Sequence, residues 1–126
     1  MYLIDTCAFL WSLGNDPALS QPVKNIIENG EYLYLSQTTL WEIAVKKTIK
    51  KLDLEETTQE LLDICEDSNI TVLPIENLYF ETIQKLPYIH GDPFDRLIIA
   101  TALENDLTIL TNDKEIKKYK EIKTIW

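Results

Sequence analysis

Glycine and proline are scarce, three and five among 126 residues. With 45% hydrophobic and 26% charged residues, this composition excludes collagenous, low-complexity and disordered chains and suits one globular α/β unit over residues 1–126. No apolar run reaches the roughly 18–20 residues of a membrane helix, so no membrane association is expected. The first 13 residues are apolar, yet they include Asp5, have no basic residue ahead of them and offer no small-residue cleavage site, so no signal peptide is expected either. Two cysteines, Cys7 and Cys65, are too few for a disulfide framework and read as buried free thiols in a reducing, cytoplasmic setting. One histidine, His90, and no closely spaced cysteine pair exclude a zinc site built from Cys and His. A metal is therefore expected to be held by oxygen alone.

Positive charge is absent from one long stretch. Residues 52–84 carry nine Asp and Glu and no Lys or Arg, which accounts for the whole net charge of −9. Elsewhere the lysines bunch at Lys46, Lys47, Lys50 and Lys51 and again at Lys114, Lys117, Lys118, Lys120 and Lys123. These patches suit either solvated helix faces or contacts to phosphate, and the acidic stretch would repel a polyanion.

What is present alternates strand and helix. Apolar runs at residues 2–4, 32–35, 70–73 and 107–110 read as strands, and 122–126 alternates like an edge strand. Helical spacing follows at 6–13, 22–29, 36–45, 55–67, 76–85 and 93–105, with Ser20, Ser36 and Asp92–Pro93 as start signals and Gly30 as a stop. Asp113 reads as the opening of a short lysine-rich helix. Strands separated by helices imply a mostly parallel sheet covered on both faces, a three-layer α/β/α architecture.

In such a sheet the ligand site lies beyond the carboxyl ends of the strands. Asp5 ends the first strand and Asp113 follows the fourth by the turn Thr111–Asn112. Glu42 is embedded in an apolar helical run, where a charge is costly unless it faces a cleft or a partner. Asp95 is the third residue of the helix that Pro93 opens, close to the favourable end of its dipole. Each also suits ordinary structural work: Asp5 and Asp113 as helix caps, Glu42 paired with Lys46 four residues on. Asp92 is read as the N-cap before Pro93, leaving Asp95 free. Converging carboxylates repel and raise each other's pKa, and a hard divalent cation neutralises them.

Asp5–Thr6, the stretch Thr39-Leu40-Trp41-Glu42-Ile43-Ala44-Val45-Lys46, the stretch His90-Gly91-Asp92-Pro93-Phe94-Asp95-Arg96-Leu97-Ile98-Ile99-Ala100, and Leu110-Thr111-Asn112-Asp113 together resemble the PIN-domain ribonucleases, and more narrowly the VapC-type toxins of toxin–antitoxin pairs. The resemblance spans nearly the whole chain. It implies a PIN fold, an acidic quartet of Asp5, Glu42, Asp95 and Asp113 as catalytic and metal-binding residues, and one or two Mg²⁺ or Mn²⁺ ions. Thr6 and Thr111 fall where the family places hydroxyls beside the metal, and Asp92 remains the alternative third ligand. Lys46, Arg96 and the lysines around Lys117 are candidate phosphate contacts.

The implied chemistry is hydrolysis of RNA phosphodiester bonds, with a separately encoded antitoxin as partner and a homodimer as the assembly. Tyr79, Phe80 and Trp126 are candidate interface aromatics, with core packing as their alternative. Other readings stay open: a PIN nuclease that processes RNA or cuts DNA without being a toxin, an idle PIN fold used as a binding module, and a Mg²⁺-binding receiver-like signalling domain. The last would need an acceptor aspartate where the strands at 32–35 and 70–73 instead run into Ser36 and Pro74. A dehalogenase-type phosphatase would need an Asp two positions after Asp5, where Cys7 stands.

Overall fold

The computed structural model describes all residues, 1–126. Five strands form one sheet: β1 (Tyr2–Ile4), β2 (Leu33–Ser36), β3 (Ile70–Leu73), β4 (Thr108–Leu110) and β5 (Thr124–Ile125). Their order is β3-β2-β1-β4-β5 and every pairing is parallel. The expected mostly parallel sheet is thus parallel throughout. Six helices surround it: α1 (Thr6–Leu13), α2 (Gln21–Asn29), α3 (Gln37–Thr48), α4 (Thr58–Asp67), α5 (Asn77–Lys85) and α6 (Pro93–Glu104).

The two-residue period of a strand sends neighbouring side chains to opposite faces, and β1 shows it directly. Ile4 joins Leu33 and Leu35 in a core with Phe9, Val23, Leu61 and Cys65 of α1, α2 and α4. Leu3 faces the other way, with Ile109, into a core with Ile98, Ile99 and Ala102 of α6 and with Tyr119. A third cluster, Tyr79, Leu97 and Ala100, seats α5 on α6.

Local signals explain the helix ends. Ser20 accepts from the Val23 amide and Ser36 from the Thr38 amide, while Thr57 and Glu60 form a reciprocal capping box that opens α4. Gly30 ends α2 at φ 65°, the left-handed conformation that glycine adopts without penalty.

As expected, Asp113 opens a short lysine-rich helix, a 3₁₀ turn over Ile116–Lys118, before Tyr119 extends and drops into the core. Two expectations need correction. Cys7 is exposed, since it looks into the cleft beside Asp5 rather than into the sheet. Tyr79 is buried and its hydroxyl accepts from the Asn105 amide, so it belongs to the core. Trp126 is half-buried against Trp11, with ring centroids 5.6 Å apart, and of the three named aromatics only Phe80 is exposed.

A candidate metal centre at the strand ends

The chain runs β1, β2, β3 toward one edge and then returns to place β4 on the other side of β1. The gap between β1 and β4 is therefore the switch point where an open parallel sheet binds its ligand. The register pairs Ile4 with Leu110, and the Asp5 amide donates to the Leu110 carbonyl at 3.2 Å, so Asp5 and Thr111 leave the sheet side by side. Helix α6 feeds β4 and runs against the strand direction, which brings its N-terminus, with Asp95, to the same edge. α3 delivers Glu42 from the end of β2.

Asp5 is buried, and its Oδ1 accepts from the Ala8 amide at 2.7 Å, capping α1. Capping and site membership coexist here, because only one oxygen is used in that bond. Burial pushes the Asp5 carboxyl up to about 6, against the pull of Thr111 and the Ala8 amide; Asp113 and Glu42 add repulsion. Asp95 lies in the first turn of α6 and is pushed further, to about 7, first by burial and then by the neighbouring charges of Asp92, Asp113 and Glu42, while its bond to His90 works in the opposite direction. That contact joins His90 Nε2 to Asp95 Oδ2 at 2.7 Å.

Asp113 is fixed by the amides of Glu115 and Ile116, both donating to Oδ1, and its own amide donates to Thr111 Oγ1 at 3.0 Å. Asp92 accepts from the amides of Phe94 and Asp95, at 2.8 and 3.2 Å, as the N-cap of α6. The capping argument that separates Asp92 from Asp95 thus has a direct structural counterpart.

Glu42 differs from the aspartates. It is buried, but Oε1 accepts from the Thr6 hydroxyl and Oε2 from Lys46 Nζ, each at 2.6 Å. Thr6 also bonds Thr39 at 3.1 Å. Lys46 is therefore engaged by Glu42, which holds its ammonium above the ordinary lysine range, while its side chain stays 40% exposed.

Arg96 is the larger departure. Its guanidinium is buried and donates to the carbonyls of Ile83 and Pro87, at 2.8 and 3.1 Å, and to the Tyr119 hydroxyl at 3.0 Å. It packs 5.3 Å from the Tyr88 ring centroid. The guanidinium thus ties the end of α5 and the loop at 87–91 to Tyr119, and its bonds point into the protein.

Sequence reasoning left His90 outside the site. One donor atom each from His90, Asp95 and Asp113 lies within 4.8 Å of the others. Carboxylate oxygens dominate this donor set, and such donors suit a hard divalent ion of the Mg²⁺ or Mn²⁺ type. Asp5, Cys7, Trp11, Asn112 and Asp113 line a small cleft of about 120 Å³ at this edge.

A strand-end carboxylate cluster at the switch point of a small parallel sheet defines a class, and the chain belongs to it: residues 2–122 match the PIN domain family. Over 126 residues it is 23% identical to Ribonuclease VapC22 of Mycobacterium tuberculosis, spanning 98% of this chain and 97% of that protein. Among solved structures, VapBC2 from Rickettsia felis, bound to a DNA fragment from their promoter, superposes with a TM-score of 0.72 at 17% identity, covering 98% and 96% of the two chains. FitAcB from Neisseria gonorrhoeae gives 0.67 at 20% identity, covering 100% and 97%. No helix of this chain is long and apolar enough to cross a membrane.

Proposed function

We propose that the chain is a metal-dependent endoribonuclease and the toxin half of a toxin–antitoxin pair. The observation that carries the reading is that Asp113 stands at one sheet edge between Asp95, with which it forms a donor cluster, and Asp5, with which it lines a cleft, while burial pushes Asp5 and Asp95 toward neutrality. Glu42 closes the site from α3, and Thr6 and Thr111 steady the carboxylates. A Mg²⁺ or Mn²⁺ ion held there supplies the activation of water and the charge neutralisation that phosphodiester hydrolysis requires.

The remaining work falls to the chain itself. The Ala8 amide fixes Asp5, and the Glu115 and Ile116 amides fix Asp113, so these two acceptors keep their places before substrate arrives. With Arg96 engaged internally, the solvent-facing Lys46, Lys114 and Lys117 are the phosphate contacts, approached from the side away from the acidic 52–84 segment, although Lys46 holds Glu42 and Lys117 holds Asn112 before substrate arrives. Likeness to VapBC2 and FitAcB supports a protein antitoxin as partner. The exposed Leu78 and Phe80 of α5 are offered as part of a homodimer surface.

Purified protein incubated with a defined structured RNA pool should cut in Mg²⁺ or Mn²⁺ and stop on addition of EDTA. Asp113→Asn, with an unchanged circular dichroism spectrum, should be inactive. Cutting that persists in EDTA, or in the folded variant, overturns the reading.

A further inference from the structure

We propose that His90 Nε2 is a direct ligand of the divalent ion, which makes the centre a mixed nitrogen–oxygen site that prefers Mn²⁺ to Mg²⁺. The inference rests on the metal-dependent reading above and deepens it. Its first support is geometric. Ligands bonded to an octahedral ion at about 2.1 Å stand about 3 Å apart when adjacent and about 4.2 Å apart when opposite. The donor atoms of His90, Asp95 and Asp113 all fall within 4.8 Å of one another, and the His90–Asp95 pair is already at 2.7 Å. The trio is thus close to the spacing of three ligands on one ion, with the proton now shared by His90 and Asp95 giving way to it.

A second support is how His90 is held. Its amide donates to the Tyr119 hydroxyl at 3.1 Å, and Arg96, buried one residue beyond Asp95, bonds Tyr119 and the Pro87 and Ile83 carbonyls. The ring is therefore carried by a braced backbone and aimed at the carboxylates. Glu42, by contrast, has both oxygens satisfied by Thr6 and Lys46 and is not part of the trio.

The sequence expectation of an all-oxygen site followed from the absence of a Cys/His zinc set. One imidazole is too few for that set, but it is enough for one place among oxygens. Carboxylate and water suit Mg²⁺, whereas a nitrogen donor shifts preference toward transition metals.

His90 is the only histidine in the chain, so labelling histidine labels one position. The untagged protein is loaded with Mn²⁺ and examined by pulsed EPR. The expected result is the strong isotropic coupling of a bonded ¹⁴N, replaced by the ¹⁵N pattern in [¹⁵N]histidine protein and lost in His90→Gln. In direct competition, His90→Gln should lose about tenfold or more in Mn²⁺ affinity while Mg²⁺ affinity changes much less. Bound Mn²⁺, released by Asp113→Asn but without bonded-nitrogen coupling, overturns the histidine ligand and leaves the metal site standing. Failure of the folded wild-type chain to bind Mn²⁺ at all overturns both.

Discussion

The two halves of the carboxylate site solve the same electrostatic problem differently. On the α3 side, Glu42 is buried with a hydroxyl on one oxygen and an ammonium on the other. On the other side, Asp5 is buried at the end of β1 and Asp95 half-buried in the first turn of α6, each with fewer donors, and their carboxyls are pushed up to about 6 and 7. A buried carboxylate is stabilised by hydrogen bonds, an opposite charge or a proton. The first half has its cation built in as Lys46, while the second is left for a cation from solution.

The largest effect expected from this contrast is on metal-dependent cleavage. Asp95→Asn should lower the single-turnover rate by about 10²–10³-fold, the scale for removing one preorganised electrostatic group, and Glu42→Gln should cost less. RNA cleavage measured at saturating Mn²⁺ compares them, and a greater loss from Glu42→Gln breaks the division.

Next in size is a pH dependence of stability. Because the folded-state values of Asp5 and Asp95 lie above 3.8, the folded chain holds more protons than the unfolded one between about pH 4 and 7. Their contribution is fully present below pH 3.8 and is lost as pH rises through about 6 and 7. Added Mn²⁺ at 100 times its Kd contributes about 2.7 kcal/mol and replaces the lost protons. Thermal melts should therefore show a larger Mn²⁺-induced rise in Tm at pH 8 than at pH 5; equal rises at both would contradict the assignment.

The smallest effect sharpens the comparison from the other side. Lys46→Met removes the built-in cation and should lower metal-free stability by about 1–2 kcal/mol, because the buried Glu42 carboxylate then keeps only the Thr6 hydroxyl. The same change frees Glu42 Oε2 and should tighten Mn²⁺ binding severalfold by calorimetry, so unchanged affinity would mean that Glu42 lies outside the ion's reach.

Much of this architecture is legible in the sequence because the punctuation is local. Tyr2–Ile4 and Ile70–Leu73 stand where their apolar runs place them, and α6 begins at Pro93 because Asp92 caps it. The four carboxylates stood out by their places at strand ends and in helices, and the family resemblance joined them into one set, whereas the approach of Asp95 to Asp113 depends on the strand order. What stayed hidden depends on distant partners. Arg96 turns inward to the Ile83 and Pro87 carbonyls and the Tyr119 hydroxyl, partners 9 to 23 residues away, and no local pattern carries that information. His90 enters the site through Asp95, five residues along and on another element.

One contact gives the two halves a common measure. Trp41 precedes Glu42 and Phe94 precedes Asp95, and their rings meet edge to face at 4.6 Å between centroids. The width of the aperture between α3 and α6 is thus a packed dimension, set by the bulk of two aromatic rings. Like the jaws of a caliper, the two rings set the gauge at which α3 presents Glu42 to the Asp95 of α6.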